Sequence, residues 1–321
     1  MNAGEPLNAS PLLRPSDTHA TCKICTSRSE YVFSLESKSG GPEPLGILLC
    51  PNCGLLFVGN PISDKELTRL YRSLDQDTYY EQISKTLPAK ISRAISDIRT
   101  VIPPDPARSS VLDVGCGYGH FLDALSTVHP PVRAVGHELP GQAASACQKK
   151  GFRVFTSDLE NISDRFSLIS LLDVAEHLPN PNRTFAACYA LLHTGGYIYI
   201  HTPRRCFWDN LFLALLDAPA LSRLARAWFT TRLSLFHLHL WTDKALTLAL
   251  QKAGFHIVHL RSELELSWPL SMYVKMYLGE KFRLPRPILF MIHAITSILF
   301  VWLRTLRNKA ICLAQKTETP A

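Results

Sequence analysis

The sequence predicts an α/β protein, a doubly wound and mostly parallel sheet with a small metal-stapled module ahead of it. Three observations carry this. From residue 110 onward, apolar strand-like runs alternate with helical patterns, as in a parallel sheet covered on both faces. The stretch 111–121, VLDVGCGYGHF, closes a strand on Asp113, places glycines at 115, 117 and 119, and then starts a helix, which is the pattern of a nucleotide-type cofactor loop. Cys22-Lys-Ile-Cys25 and Cys50-Pro-Asn-Cys53 stand 24 residues apart, the arrangement of a zinc ribbon.

At 321 residues and 46% apolar content, the chain has room for one large domain plus a small one. Nine cysteines is an odd number, four of them sit in C-x-x-C pairs, and no hydrophobic signal peptide follows Met1. A disulfide framework is therefore disfavoured and a reducing cytoplasm expected. The net charge of +7 is uneven: residues 221–321 hold 14 Lys and Arg against 5 Asp and Glu, whereas 1–220 hold 20 against 22. The last third either faces something anionic, such as lipid headgroups, a phosphorylated substrate or nucleic acid, or presents a solvated basic face. Residues 1–18, polar and proline-containing, read as a disordered tail.

The ribbon spans 19–60, with strands at 31–35 and 47–49. Two thiolates from each pair surround one tetrahedral ion; with Cys22, Cys25, Cys50 and Cys53 all used, no position stays open for substrate, so the metal is structural. Residues 61–106 form a helical lead-in (64–71, the run 75–81 with Tyr79 and Tyr80, and 83–102) closed by a linker with Pro103, Pro104 and Pro106. The main domain, 107–321, alternates strand 111–114, helix 121–128, strand 133–137, helix 142–150, strand 152–155, strand 166–172, helix 184–192 and strand 197–201. Strand 166–172 is almost wholly apolar, as a central strand buried on both faces should be. Residues 204–240, rich in Leu, Arg and aromatics, break the alternation and read as an insertion covering the crevice, a lid and acceptor pocket. Helix 242–253 and strands 255–266 and 309–315 complete the domain. Between these strands, 288–303 is a run of 16 uncharged residues, about 24 Å as a helix and short of the roughly 30 Å hydrocarbon core. With its basic ends, 285–307 reads either as an interfacial helix on an anionic membrane or as a helix packed on its own domain or a dimer contact.

The glycine spacing argues against NAD. The dinucleotide fingerprint is G-x-G-x-x-G, and here the third glycine comes one residue early, with His120 in the sixth place. A carboxylate at the strand end, Asp113, suits a ligand bearing positive charge, and S-adenosylmethionine carries an ammonium and a sulfonium. The run Asp113-Val-Gly115-Cys116-Gly117-Tyr-Gly119 resembles the first motif of the class I S-adenosylmethionine-dependent methyltransferases, D-x-G-C-G-x-G. Asp173-Val-Ala-Glu-His-Leu178 resembles their fourth motif. Cys50-Pro-Asn-Cys53-Gly-Leu-Leu-Phe, followed by Asn-Pro and a Leu-Tyr helix, resembles the N-terminal part of bacterial sugar and small-molecule methyltransferases that carry a zinc ribbon. The resemblance covers about residues 22 to 316.

It implies a seven-stranded Rossmann-like methyltransferase sheet, with strand 309–315 inserted antiparallel between the fifth and sixth strands. It also implies a cofactor site built from Asp113, Gly115, Cys116, Gly117 and Gly119, with Glu138 at the second strand end accepting from both ribose hydroxyls. Asp158 would meet the adenine amino group with Leu159 against the ring, Asp173 would border the methionine end, and Tyr79 or Tyr80 would lie over the cofactor. His177 faces the acceptor and is the first choice as base; His201, at the end of the fifth strand, is the second. His237 and His239 precede Trp241-Thr242 much as an H-x-x-x-T element does in the related enzymes, and read either as part of such an element or as core histidines.

The expected function is methyl transfer to a small-molecule, sugar-nucleotide or glycan or lipid-linked acceptor, in the cytoplasm or peripherally at the inner face of the membrane. Two alternatives stand beside it: an RNA or protein methyltransferase docking through its ribbon, and a non-catalytic S-adenosylmethionine-binding scaffold. The segment between Cys22 and Cys53 is not enriched in Lys or Arg, which disfavours nucleic acid. The acceptor, the atom methylated and the oligomeric state are open at this level.

Overall fold

Alternating burial builds the N-terminal sheet. In the computed structural model, which describes residues 19–35, 44–59, 87–102, 109–219, 221–234, 236–265 and 307–317, strands β1 (His19–Thr21), β2 (Arg28–Leu35), β3 (Leu45–Leu49) and β4 (Leu56–Val58) pair antiparallel in sequence order. Phe33, Leu35, Leu45, Ile47, Leu56 and Val58 bury one face. Helix α1 (Leu87–Ile98), within the lead-in helix expected at 83–102, buries Ile91, Ala94, Ile95 and Ile98, the i, i+3, i+4, i+7 stripe of a helix packed on one side.

The main sheet begins with β5 (Ser110–Val114), every residue of which is buried. It continues through α2 (His120–Val128), β6 (Arg133–His137), α3 (Gln142–Lys149), β7 (Arg153–Phe155) and β8 (Phe166–Leu172), then α4 (Pro181–Leu191) and β9 (Leu192–Pro203). Two short helices, α5 (Phe207–Ala214) and α6 (Ser222–Phe229), and the strand pair of residues β10 (His239–Leu240) belong to the stretch after β9. Then come α7 (Asp243–Lys252), β11 (Phe255–Glu263) and β12 (Lys309–Lys316). The strand order is β11-β12-β9-β8-β5-β6-β7. From β9 to β7 all pairings are parallel, and β12 lies antiparallel to both β9 and β11. This is the doubly wound seven-stranded sheet expected from the sequence, its last strand inserted where the resemblance places it. Each fully buried Leu or Ile of β5 and β8 contributes roughly 1.5–3 kcal/mol to holding that centre together.

Several boundaries differ from expectation for local reasons. Helix α4 starts at Pro181 rather than 184, because Asn180 caps it by accepting the Arg183 N–H at 3.2 Å and proline takes the first turn. Strand β9 begins at Leu192, ahead of Gly195 and Gly196. Strand β10 was not anticipated. Its two residues pair antiparallel with β4, His239 opposite Phe57 and Leu240 opposite Leu56, so the insertion completes the ribbon's sheet. The insertion itself folds around Asp209, which is fully buried and accepts from Arg232 Nη2 at 3.0 Å, Trp228 Nε1 at 2.7 Å and the Cys206 N–H at 2.7 Å. Tyr79 and Tyr80, the tail 1–18 and the apolar stretch 288–303 lie outside the described residues. Among the described residues no helix is long and apolar enough to cross a membrane.

Candidate active site

A cavity of about 660 Å³ opens at the carboxyl ends of β5, β6, β7 and β8, the edge at which open α/β sheets bind ligands. Its volume lies within the range of small-molecule and cofactor sites. Asp113, Gly115, Cys116, Glu138, Asp158, Leu159, Asp173 and His177 all line it.

The glycine loop works through backbone geometry. Gly115, Gly117 and Gly119 have φ of 72°, 52° and 76°, the left-handed region that side chains disfavour. A Cβ at Gly115 would stand 2.5 Å from Val174 Cγ2, and one at Gly119 would stand 2.7 Å from Cys147 Sγ. Gly115 thus keeps space beside the cavity, while Gly119 lets α2 approach the core and does not itself line the space. Gly115→Ala is expected to cost about 1–3 kcal/mol of stability and to push Val174 into the cavity. Thermal unfolding checks the first effect, and a parallel loss of S-adenosylmethionine affinity the second.

Two carboxylates frame this loop. Glu138 accepts the Gly117 N–H through Oε2 and the Leu139 N–H through Oε1, each at 2.8 Å. An ionised carboxylate offers about four lone-pair positions, so both oxygens keep capacity for a pair of ligand hydroxyls. Burial pushes Glu138 up, against those two N–H bonds and the nearby His177. Asp113 is buried and accepts the Ser170 hydroxyl at 2.7 Å. Burial is also the main cause that pushes it up, to about 7, with Ser170 opposing and Glu138 adding to the shift. A cationic group seated beside it would restore its charge. Asp158 stands at the rim, its side chain 71% exposed, with Arg183 Nη2 at 3.3 Å; Leu159 is buried.

Asp173 lines the same cavity. It sits at φ 55° and reaches the cavity, but its carboxylate is engaged by Lys90 Nζ and Lys309 Nζ, each at 2.6 Å, and by His201 Nδ1 at 2.9 Å. Burial alone would raise its pKa; Lys309, Lys90 and His201 outweigh that and hold it well below the usual carboxylate range. His201 does not line the cavity. It is 3% exposed, with Nδ1 on Asp173 and Nε2 3.1 Å from Glu265 Oε2. Burial disfavours its charged form, yet the two carboxylates raise its pKa. A ring clamped between two acids orients structure, so His201 fits a base at the reacting centre poorly. Lys90 and Lys309 escaped the sequence reading: one comes from α1 and the other from the start of β12, elements far apart in the chain that no motif connects.

His177 lines the cavity from the short turn Ala175–His177 after β8. Its Nδ1 donates to the Phe236 carbonyl oxygen at 2.6 Å. His237, for which the sequence left both a site element and a core role open, lines the same cavity, its ring centroid 4.8 Å from that of His177. Burial first, then His177 and Lys309, lowers its pKa to about 3, so its ring is neutral at physiological pH. Ser234 and Phe236 join it from the insertion. His239, in β10, is buried and outside the cavity lining, as a core histidine should be.

The four ribbon cysteines converge, all Sγ atoms within 4.8 Å of one another. Cys22 and Cys53 are 3.7 Å apart at sulfur, Cys25 and Cys50 3.4 Å. Thiolates at 2.3 Å from one tetrahedral ion have edges of about 3.8 Å, so the set fits a Cys₄ zinc. The two knuckles repeat one conformation: Thr26 and Gly54, each following the second cysteine, have φ of 60° and 73° and donate to the carbonyls of Cys22 and Cys50 at 2.9 and 2.8 Å.

The sheet order, the glycine loop and the acids at successive strand ends define a class I S-adenosylmethionine-dependent methyltransferase fold. A family described as "Methyltransferase domain" matches residues 83–260, more than half of the chain, and the protein belongs to that family. It is similar to the ubiquinone biosynthesis O-methyltransferase of Pseudomonas putida strain W619, 30% identical over 107 residues, 31% of this chain and 46% of the relative. It is also similar to that of Methylococcus capsulatus, 29% identical over 126 residues, 37% and 53% of the two chains. The chain spans about half the length of these curated relatives. Among solved structures, a chain from the complex of the Haloferax volcanii Trm112 methyltransferase activator with a methyltransferase shares the fold at TM-score 0.50 and 13% identity, over 80% of this chain and 100% of that one. A mycolic acid cyclopropane synthase complexed with SAH does so at TM-score 0.50 and 17% identity, over 72% and 85%.

Proposed function

We propose that the protein transfers a methyl group from S-adenosylmethionine to an oxygen of a small-molecule, sugar-nucleotide or lipid-linked acceptor bound in this cavity. The observation that carries the reading is the convergence of Asp113, Glu138, Asp158 and His177, from four different strand ends, on one space. Likeness to the ubiquinone biosynthesis O-methyltransferases supports oxygen as the acceptor atom. The cofactor supplies a methyl group on a sulfonium, so the protein's work is alignment, exclusion of water and activation of the acceptor.

In this reading Glu138 accepts from the ribose hydroxyls while the Gly117 and Leu139 N–H groups hold it still, Asp113 sits toward the cationic end, and Asp158 and Leu159 take the adenine. His177 activates the acceptor from the opposite wall, which the insertion 204–240 completes with Ser234, Phe236 and His237. The ribbon, 19–60, holds a structural zinc, and the basic, apolar stretch 285–307 brings the domain to an anionic membrane, where a lipid-linked acceptor would be found.

Calorimetry on the full chain tests the cofactor assignment. One S-adenosylmethionine per protein is expected, with Glu138→Gln weakening it by about tenfold, or roughly 1.4 kcal/mol. A folded protein that takes up no S-adenosylmethionine would sink the proposal.

A further inference from the structure

We propose that Glu176, His177 and His237 form a site for a divalent transition-metal cation in the wall of the cavity, and that this ion binds the acceptor's hydroxyl oxygen. The inference rests on the cavity being the methyl-transfer site and specifies how its acceptor side works.

One carboxylate oxygen and one ring nitrogen from each histidine lie within 4.8 Å of one another, with Glu176 Oε1 3.9 Å from His177 Nε2. Nitrogen and oxygen ligands at about 2.1 Å from one ion stand about 3.0–3.4 Å apart, so closure needs side-chain movement on the order of 1 Å. Each ligand is already held from behind. Thr202 Oγ1 donates to Glu176 Oε2 at 2.9 Å, which directs Oε1 to the histidine side. His177 Nδ1 donates to the Phe236 carbonyl; in the neutral ring this puts the lone pair on Nε2, the nitrogen near Glu176. His237 lies between that bond and a second one, from the Leu238 N–H to the Glu176 carbonyl at 2.8 Å, so its segment is fastened to the Ala175–His177 turn on both sides. Outer hydrogen bonds of this kind set ring tautomer and orientation in metal sites.

Charge points the same way. Glu176 is 1% exposed, and a divalent ion would compensate a carboxylate that deep. The neighbouring trio Asp173, His201 and Glu265 is equally close, but Lys90 and Lys309 already neutralise it. Two imidazoles and one carboxylate suit Zn²⁺, Fe²⁺ or Mn²⁺ and leave coordination positions open toward the cavity that His177 and His237 line. A hydroxyl bound there releases its proton to solvent more readily. Its lone pair forms the O–C bond as the S–C bond of the sulfonium breaks, and that pair stays on sulfur. The ion, through His177, then performs the activation assigned to that residue.

Mn²⁺ is the probe, because its preference for nitrogen and oxygen donors keeps it off the thiolate ribbon. The full chain, with its ribbon loaded with zinc, is titrated with Mn²⁺ and the loss of the free-ion signal followed by electron paramagnetic resonance, beside S-adenosylmethionine calorimetry on the same samples. The expected result is one Mn²⁺ per chain, bound at least about tenfold more weakly after Glu176→Gln, which preserves side-chain shape, and after His237→Ala, with circular dichroism as the control for folding. A wild type that takes up S-adenosylmethionine but no Mn²⁺, or Mn²⁺ binding indifferent to both substitutions, overturns the site. A wild type that binds Mn²⁺ but not S-adenosylmethionine would leave the ion site standing and remove the cofactor reading instead.

Discussion

Asp113→Asn is expected to lower S-adenosylmethionine affinity by more than about 100-fold, roughly 3 kcal/mol, while making the ligand-free protein more stable above pH 7. Asp113 is buried with one hydroxyl partner, Ser170, and burial raises its pKa from 3.8 to about 7. A carboxyl group whose folded pKa exceeds its unfolded one favours the folded state at low pH. That contribution is lost as pH rises from about 4 through about 7, at most on the order of 4 kcal/mol. Asparagine keeps an oxygen for Ser170 and carries no charge, so above pH 7 the variant should melt several degrees higher, at roughly 2–4 °C per kcal/mol. The same side chain loses its attraction for a cationic ligand. In the wild type, S-adenosylmethionine binding should weaken between pH 8 and pH 6 as Asp113 takes up a proton. Calorimetry at both pH values and thermal melts of both proteins check this, and unchanged affinity in the variant would remove Asp113 from the cofactor site.

With the structural zinc proposed for the ribbon, chelator treatment or Cys53→Ser is expected to have a larger effect still. Free energies of structural zinc binding in small modules are about 10–16 kcal/mol, and here both knuckles are gripped by the main domain. Lys23 Nζ donates to the Pro179 carbonyl at 2.8 Å, and Asn182 Nδ2 to the Lys23 carbonyl at 2.5 Å. Arg205 Nη1 reaches the Gly54 carbonyl at 2.6 Å, Thr242 Oγ1 the Cys53 carbonyl at 2.5 Å and Lys244 Nζ the Asn52 carbonyl at 2.6 Å. Pro179 and Asn180 also line the cavity. Metal removal should therefore lower the melting temperature by more than about 10 °C and weaken cofactor binding together. Metal analysis showing one zinc per chain before treatment, and melting curves with and without chelator, test it; a fully stripped protein that melts unchanged would refute a structural metal.

Local chemistry made much of this architecture legible in the sequence. The strand pattern of β5 and β8, the left-handed glycines of the loop and the two C-x-x-C knuckles are each set by residues within a short stretch. Glu138 stands one glycine loop, one helix and one strand beyond Asp113, all within 25 residues of chain. What escaped depends on distant pairings. Strand β10 is two residues long and exists because β4 offers it an edge. Lys90 and Lys309 look like ordinary surface charges until α1 and β12 carry them to Asp173. His201 occupies a motif-like position at a strand end, yet Glu265 and Asp173 take both its nitrogens. His237 has the apolar neighbours of a core residue, and the hydrogen bonds flanking it, His177 to the Phe236 carbonyl and Leu238 to the Glu176 carbonyl, fasten its segment beside the cavity.

The pairing of β10 with β4 also constrains how the protein is made. Thr242 closes on Cys53 from 189 residues further along the chain, so a ribosome releases the ribbon long before its fifth strand exists. Contacts of such separation form late and slowly. During synthesis the edge of β4 is therefore open to strangers, and early capture of the metal would be the nascent module's main protection until the distant strand arrives.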